Sequence, residues 1–374
     1  MLIPYSQLSE EQKGVIRRIS RESGNLFVEG PPGSGKTLIS LYTLRDIVKE
    51  SNVKPLLMMY NQSLYGYLAS ALRELGIQDN ITIVTKDKFF WDKAAGYGIR
   101  PPDYNAKYDV KYNFLLEGIK SQSVKKEFDL TIVDEVQDLS PDEWELIKRM
   151  SNRVLTLGDF NQGVYTTTLS RESIKSYGVF ESLSVIFRFH KNIAKIARFF
   201  SRNNEDLASK VSKDAQTQPK LIDINSSQEF SKIAEILKEI KVYRKRIGVI
   251  CPDSQKLKNL SEYLANNNIE FNYYSKNIEL RTHDFTSTVP LLISSFSSKG
   301  LEFEHVILFG FDNNSSIISK LREENRLKDV IYVSITRTNS NLYIVRTEQT
   351  VRELKELKVE EENTNSEMSI DDIF

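Results

Sequence analysis

A phosphate-loop signature near the amino terminus restricts this chain more than any other feature. Residues 30–37 read Gly-Pro-Pro-Gly-Ser-Gly-Lys-Thr, which fits the pattern G-x-x-x-x-G-K-T. The apolar run 26–28 before it predicts a strand, and the run 38–44 after it predicts a helix. Glycines let backbone N–H groups point at phosphate oxygens, and the helix start adds partial positive charge. This order predicts a nucleotide site in an α/β fold, whereas a glycine-rich turn without a ligand is the weaker alternative.

Within the loop, each residue type has an expected partner. Lys36 is expected to reach the β- and γ-phosphates of a nucleoside triphosphate, and Thr37 is expected to bind Mg²⁺. The other loop residues expected to contact the nucleotide are Gly33, Ser34 and Gly35. The sequence therefore predicts ATP and Mg²⁺ as cofactors.

Composition narrows the class of protein. A chain of 374 residues is long enough for about two domains. Lys plus Arg and Asp plus Glu are equal at 51 each, so any contact with a polyanion must come from local patches. The single cysteine, Cys251, excludes an intrachain disulfide, and no apolar run approaches the roughly 18 residues of a membrane span. With no visible secretion signal, we expect a soluble cytoplasmic protein that does not bind membranes.

Short apolar runs separated by helix-length segments indicate buried parallel strands. Two series of such runs, with a break near 166–185, predict two tandem α/β domains at residues 1–180 and 181–350. Residues 92–127 are expected to form a small irregular insertion in the first domain. The polar and acidic segment 351–374 is expected to be disordered beyond a last helical turn or two. The predicted strands lie at 26–28, 55–59, 81–84, 130–133, 154–157, 220–224, 247–250, 271–274, 290–293, 305–309 and 342–345.

An acidic motif follows the predicted strand 130–133. It reads Asp-Glu-Val-Gln-Asp over residues 134–138. Carboxylates at the end of a buried strand are costly unless they meet a cation. Beside a phosphate loop, Asp134 is expected to bind Mg²⁺ and Glu135 to activate water. Alternatively, this is an acidic strand-to-helix turn in which Asp138 or Ser140 only caps the next helix.

Taken in order, these and further motifs resemble superfamily 1 helicases of the UvrD/Rep type. The acidic segment 134–138 resembles motif II of that family. Further matches, from residue 8 to about 345, are Gln12 with the N-terminal glutamine motif, Gly158–Tyr165 with motif III, Phe187-Arg188 with motif IV, Lys299–Phe303 with motif V, and Tyr332–Thr338 with motif VI. The resemblance implies two tandem RecA-like domains that enclose one ATP. Because little sequence is left for inserted subdomains, it implies a minimal motor with reduced accessory parts.

The resemblance also implies roles for single residues in ATP hydrolysis. Arg188 and Arg337 would reach the γ-phosphate from the second domain, and Gln162 would sense it from the first. The residues that it implies for contact with the adenine and ribose of the nucleotide are Gln12, Phe187, Gly300 and Glu302. Simpler roles stay open: Arg188 could be a surface cation, and Arg337 could cap a helix. Ser9 and Gln12 form a capping box that alone explains Gln12, so contact with adenine would require its side chain to leave the cap.

A nucleic-acid track is the last feature that the resemblance implies. Its candidate residues are Tyr60, Asn61, Thr85, Tyr165 and Ser294, which follow predicted strands or motif III. Single strands bind to aromatic platforms in a positive groove, and the likeness favours DNA over RNA. For the aromatics Phe89, Phe90 and Trp91, core packing is an equal alternative. Ser294 and Phe296 depart from the family, which has threonine and histidine there.

Two functions follow as expectations. The first is an ATP-dependent single-stranded nucleic-acid translocase or helicase, which would need a protein partner to unwind duplexes because large accessory subdomains are missing. The alternative is a nucleotide-switched regulatory or assembly ATPase of a repair, plasmid or phage-defence system. Such a protein would keep the ATP site without unwinding on its own.

Overall fold

The computed structural model describes residues 2–21, 24–50, 53–160, 169–202 and 205–358. The strands are β1 (Leu26–Glu29), β2 (Pro55–Met59), β3 (Thr82–Thr85), β4 (Phe128–Asp134), β5 (Ser151–Gly158), β6 (Val179–Ser182), β7 (Ile186–His190), β8 (Val211–Lys213), β9 (Lys220–Asp223), β10 (Ile247–Cys251), β11 (Asn272–Tyr273), β12 (Leu291–Ser294), β13 (Phe303–Leu308) and β14 (Thr338–Arg346). The α-helices are α1 (Glu10–Arg21), α2 (Lys36–Glu50), α3 (Gln62–Glu74), α4 (Lys86–Gly96), α5 (Tyr108–Lys120), α6 (Pro141–Met150), α7 (Arg171–Lys175), α8 (Lys191–Arg198), α9 (Glu229–Lys241), α10 (Ser254–Asn266), α11 (Ser316–Glu323), α12 (Leu327–Ile335) and α13 (Arg352–Lys355).

The first half of the chain forms a six-stranded parallel sheet in the order β3-β2-β4-β5-β1-β6. Its central strands β1, β2, β4 and β5 are mostly apolar and buried because helices cover both faces. Helices α1, α2 and α3 pack on one face around Ile16, Leu41 and Leu68. Helices α4, α5 and α6 pack on the other around Phe90 and Leu115. The carboxyl ends of β1 and β4 lie on one edge, where the phosphate loop and the acidic motif begin.

The second half forms another six-stranded parallel sheet, in the order β11-β12-β10-β13-β14-β9. Helices α9 and α10 cover one face around Ile236 and Leu260, and helices α8, α11, α12 and α13 cover the other. Two α/β units with helices on both sides of a parallel sheet confirm the predicted fold class. Between them, β7 and β8 form a separate two-stranded sheet.

Three expectations about the organisation of the chain need correction. The boundary at 180/181 cuts through β6, which pairs with β1 and completes the first sheet. The second unit does not end at residue 350, since Val351, Leu354 and Leu357 are buried in its core. Residues 92–127 are not irregular, because they contain the end of α4 and the whole of α5.

Helix α5 forms because its apolar residues recur at helical spacing. Tyr112, Leu115, Leu116 and Ile119 are buried against the first core. Tyr108 lies on its exposed side, and Tyr104 lies in the connection before it. In the part of the chain described, no helix has the length and apolar content that crossing a bilayer requires.

Candidate active site

The phosphate loop joins β1 to α2 in a conformation that requires glycine. Gly33 and Gly35 have φ angles of +78° and +89°, in the left-handed region where other side chains are strained. The ammonium of Lys36 lies inside the loop and donates to the carbonyl oxygens of Gly30 (2.7 Å) and Pro31 (3.2 Å). These carbonyls hold the cation in the loop, from which it can move to a phosphate.

A buried hydroxyl supports a phosphate ligand for this loop. Ser34 is 1% exposed, and its Oγ atom has no hydrogen-bond partner among the described residues. A buried polar group without a partner is costly unless a ligand completes it. Together with the helix start at Lys36, this donor set fits the phosphates of a nucleotide.

The residues expected to hold Mg²⁺ lie side by side. The hydroxyl of Thr37 donates to Asp134 Oδ2 at 2.9 Å. Burial, and next the charge of Glu135, raise the pKa of the Asp134 carboxyl. A hydroxyl and a carboxylate are the hard oxygen ligands that Mg²⁺ prefers, so the residues present fit this ion.

Glu135 follows β4 with a backbone conformation that is unusual for a non-glycine residue. Its φ of +60° places the residue in the left-handed region, a kind of strain that recurs at functional sites. Gln137 Nε2 donates to Glu135 Oε2 at 2.5 Å, and Gln137 Oε1 accepts from the backbone N–H of Asp159 at 3.1 Å. Burial opposes ionisation of Glu135, but the charges of Lys299 and Lys36 outweigh it and lower its pKa. The surrounding cations therefore favour the ionised form of this carboxylate.

Lys299 connects the acidic motif to the second unit. Its side chain is 2% exposed, and its Nζ lies 2.6 Å from Asp138 Oδ2 and 3.7 Å from Glu135 Oε2. Burial raises the pKa of Asp138 to about 6, although the Lys299 charge acts against this. Because each buried charge needs the other, this pair holds the segment before β13 against the end of β4.

Arg188 approaches the phosphate loop from β7. The backbone N–H of Phe187 donates to the Gly33 carbonyl oxygen at 2.9 Å. A Cβ atom added to Gly33 would lie 2.4 Å from the Cβ of Arg188. The guanidinium donates through Nε to Glu302 Oε1 (2.8 Å) and through Nη1 to the Thr336 carbonyl (3.2 Å). Arg188 is thus an ion-paired residue of the cleft and not a surface cation.

Arg337 is buried between α12 and β14, at 1% exposure. Its Nε donates to the Val333 carbonyl at 2.9 Å and its Nη1 to the Leu301 carbonyl at 3.3 Å. Burial and the nearby Arg188 charge lower the pKa of Arg337, whereas Glu135 raises it. The two arginines and the catalytic carboxylate candidate therefore lie within electrostatic reach of one another.

Gln12 keeps its place in the capping box and also contacts the phosphate loop, while its contact with adenine stays a prediction. Its Oε1 accepts from the backbone N–H of Ser9 at 2.9 Å, which completes the capping box. Its Nε2 donates to the Ser34 carbonyl oxygen at 2.8 Å. The side chain thus reaches the phosphate loop without leaving the cap. Gly35 permits this approach, since a Cβ there would lie 2.2 Å from Nε2.

Two candidates for the nucleic-acid track are used inside the protein. Thr85 is fully buried, and its hydroxyl accepts from Gln62 Nε2 at 3.2 Å, so it does not reach a strand on the surface. Asn61 caps α3, and its Nδ2 donates to the carbonyl oxygens of Ser297 and Lys299, both at 3.0 Å. The expectation for Thr85 is corrected, since this buried residue supports α3. Asn61 joins the two units, and its contact with nucleic acid stays a prediction.

The remaining candidates divide by position. Tyr60 is half-buried, with the Lys86 ammonium 4.8 Å from its ring centre. Ser294 is partly exposed and donates to Ser297 Oγ at 3.0 Å. Gly300 has a φ of +85° and packs against Leu64 of α3. Gln162 and Tyr165 lie outside the described residues. Phe89 and Phe90 are buried in the first core, so the packing alternative holds for them.

Sequence reasoning missed two lysines of the cleft. Lys299 was identified only as part of motif V, and its buried position between Asp138 and Glu135 could not be inferred from the sequence. Lys213 in β8 had no signal at all. Its Nζ donates to the carbonyl oxygen of Arg188 at 2.6 Å.

Two family profiles match the chain, one in each half. An AAA domain matches residues 12–168, and a UvrD-like helicase C-terminal domain matches residues 276–349. Together the matches cover more than half of the chain. The two matches support a UvrD-like helicase motor. None of the curated proteins compared with this UvrD-like helicase matches it.

Solved structures similar to this UvrD-like helicase include viral and bacterial helicases. The nonstructural protein 10 helicase of an arterivirus is 16% identical with a TM-score of 0.44, over 89% of this chain and 62% of that chain. The PRRSV helicase is 14% identical with a TM-score of 0.42, over 90% of this chain and 55% of that chain. The C-terminal domain of a possible DNA helicase from Lactobacillus plantarum is 14% identical with a TM-score of 0.36, over 46% and 94%. The chain therefore spans less than two thirds of either viral protein.

Proposed function

We propose that this UvrD-like helicase is an ATP-dependent translocase on single-stranded nucleic acid, with DNA as its preferred substrate. ATP would be hydrolysed between the two six-stranded sheets. The observation that carries the proposal is the meeting of two sets of groups across one cleft. The phosphate loop and Glu135 come from the first sheet, and Arg188, Arg337 and Lys299 come from the second unit.

The chemistry that we propose assigns one task to each group. Lys36 would exchange its loop carbonyls for the β- and γ-phosphates. Thr37 and Asp134 would hold Mg²⁺, which supplies positive charge at the phosphate oxygens. Glu135 would orient the attacking water. Arg188 and Arg337 would stabilise the negative charge on the γ-phosphate in the transition state.

Translocation would follow from the position of the arginines in the second unit. Binding of ATP draws Arg188 and Arg337 toward the phosphates, and release of products removes that attraction. The contacts of Asn61 and Lys299 across the cleft would transmit this movement to the carboxyl edge of the first sheet. Tyr60 and Ser294, which are partly exposed near that edge, would contact the strand. Because the described residues form two α/β units with no large inserted subdomain, duplex unwinding would need a protein partner.

The test is ATP hydrolysis with and without single-stranded DNA or RNA. We expect stimulation by single-stranded DNA, smaller stimulation by RNA, and loss of activity in Lys36→Ala and Arg337→Ala. Lys49→Ala is a matched control, because Lys49 is an exposed lysine of the same helix as Lys36. Full activity in Lys36→Ala would refute the assigned site.

One observation favours the alternative of a nucleotide-switched regulatory ATPase. Thr85 and Asn61, two candidates for strand contact, bind other parts of this chain. In that case hydrolysis would be the same with and without any polynucleotide, while ATP would still bind. The same assay, together with equilibrium binding of ATP, separates the two functions.

A further inference from the structure

The strand that carries Arg188 has an irregularity at that residue. Strand β7 pairs with β8 at Ile186 opposite Val211 and at His190 opposite Lys213. Three residues of β7 therefore face one residue of β8, which makes a bulge of two extra residues. A bulge leaves backbone groups without ladder partners and re-aims a side chain, and bulges are frequent next to active sites.

The backbone groups that this bulge leaves free have two other partners. The N–H of Phe187 donates to the Gly33 carbonyl of the phosphate loop at 2.9 Å. The carbonyl of Arg188 accepts from the Lys213 ammonium at 2.6 Å. The bulge is thus fixed on one side by the nucleotide loop and on the other by a lysine side chain. Below it, Ser212 Oγ donates to the Ile186 carbonyl at 3.0 Å and anchors the start of the strand.

A lysine is a costly choice for holding a carbonyl at this position. Lys213 is half-buried, and the charges that act on it are those of Glu302, Arg188 and Glu304. Burial lowers the pKa of Lys213, with Arg188 adding to this and the two glutamates opposing it. Its long stem reaches the Arg188 backbone, where a serine or threonine of β8 would fall short. The ammonium also repels the Arg188 guanidinium and so favours its contact with Glu302.

We infer that Lys213 is a positioning residue for Arg188. Its ammonium fixes the β7 bulge by binding the Arg188 carbonyl, and this determines the position of the Arg188 guanidinium relative to the phosphate loop. This inference rests on the proposed role of Arg188 in hydrolysis. Misplacing a catalytic group by about 1 Å can lower the rate about a hundredfold, so an anchor at the backbone of that group matters for the rate. Nucleotide binding depends mainly on the loop itself and is little affected.

The experiment compares three variants of the full chain. In Lys213→Met the stem remains and the donor is lost, so we expect kcat to fall about tenfold. The KM for ATP should change much less than kcat. Lys213→Arg keeps a cationic donor and should restore most of kcat. Lys191→Met is the matched control and should leave both constants unchanged. Lys191 adjoins β7, and among the described residues its ammonium pairs with the exposed Asp214 alone.

A second readout does not depend on hydrolysis. Hydrogen exchange of the Phe187 amide, which donates to Gly33, should be faster in Lys213→Met than in the wild type and unchanged in Lys191→Met. Equal exchange in all variants, or a kcat of Lys213→Met equal to that of the wild type, overturns the inference. A loss in Lys213→Met that Lys213→Arg does not restore also overturns it. If the wild type hydrolyses no ATP under any condition, the proposed function falls, and the exchange result alone decides the role of Lys213.

Discussion

The two faces of the cleft are built in different ways. The phosphate-loop face comes from eight consecutive residues, Gly30–Thr37, whose shape follows from glycines between a strand and a helix. The arginine face combines β7, the segment before β13 and the end of α12, and β7 belongs to neither large sheet. Backbone geometry therefore sets the first face, whereas side-chain contacts set the second. We expect the second face to be the adjustable one.

The largest effect on kcat is expected from removing Arg188, the central residue of the arginine face. Arg188→Ala should lower kcat about a thousandfold, because an arginine at a transferred phosphoryl group is worth 10³ or more. Arg188→Lys should not restore the rate, since one ammonium cannot replace the bidentate guanidinium. Steady-state kinetics and equilibrium ATP binding check this. If ATP binding falls as much as kcat, Arg188 contributes to binding and the contrast between the two faces is lost.

A smaller effect, on the free energy of unfolding, is expected from removing Lys299, which pairs with Asp138 where the two faces meet. Lys299→Met leaves Asp138 buried without its cation, and breaking one side of a buried pair costs about 3–5 kcal/mol of unfolding free energy. Urea unfolding measures this cost. The double variant Lys299→Met with Asp138→Leu should recover most of it, because the buried Asp138 charge is gone and Glu135 still has the charge of Lys36 nearby. If the single variant is as stable as the wild type, the pair does not hold the two units together.

Gly33→Ala tests how close the faces approach. The added methyl would meet the Arg188 Cβ at 2.4 Å, and a φ of +78° strains any L side chain by about 1–3 kcal/mol. We expect weaker ATP binding together with a displaced β7. Gly76→Ala is the matched control, since Gly76 also has positive φ (+69°) but has nothing within 4 Å of an added Cβ. Equal loss of ATP binding in both variants would mean that the contact with Arg188 is unimportant.

The smallest effect concerns pH and His190, at the end of β7. This side chain is fully buried and hydrogen-bonds through Nε2 to the Ser340 carbonyl at 2.7 Å. Burial lowers the pKa of His190. As the pH falls, the unfolded chain therefore binds a proton at this residue before the folded chain does. Stability should therefore fall as the pH drops below the unfolded pKa of about 6.5, by at most about 1.4 kcal/mol per pH unit for one proton.

His190→Gln should make thermal stability less dependent on pH between pH 7.5 and 5.5. His283 and His305 also have pKa values lowered by burial, so part of the dependence should remain. Substitution of His283 is the comparison, because that residue lies outside the arginine face. An unchanged pH profile for His190→Gln would show that β7 does not sense pH through this residue.

The sequence predicted the regular parts of the fold and failed where structure depends on distant contacts. The two parallel sheets followed from buried apolar runs. Strands β7 and β8 were missed because the three residues of β8 are too few to show a pattern and their partner strand lies far from them in the sequence. Asn61 and Thr85 were placed by strand ends alone, which cannot show whether a polar side chain faces solvent or another part of the same chain.

The candidate site shows the same division. Lys36, Thr37, Asp134 and Glu135 could be placed together because each follows a strand of one parallel sheet. Arg188 and Arg337 were located only through family resemblance, and their catalytic roles stay predictions. Lys213 could not be found, since a single lysine in a three-residue strand carries no pattern. The pairing of Lys299 with Asp138 likewise needed the spatial arrangement of two units.

The pairing of β1 with β5 has a consequence for synthesis on the ribosome. Leu26 lies opposite Leu155, so the strand that leads into the phosphate loop gains this neighbour only after most of the first unit has been translated. Parallel pairing between such distant segments is slow, and unfinished edges are prone to association. Nascent chains that stop before Ser151 should therefore bind chaperones and lack affinity for ATP, whereas chains that extend past β6 should have acquired it.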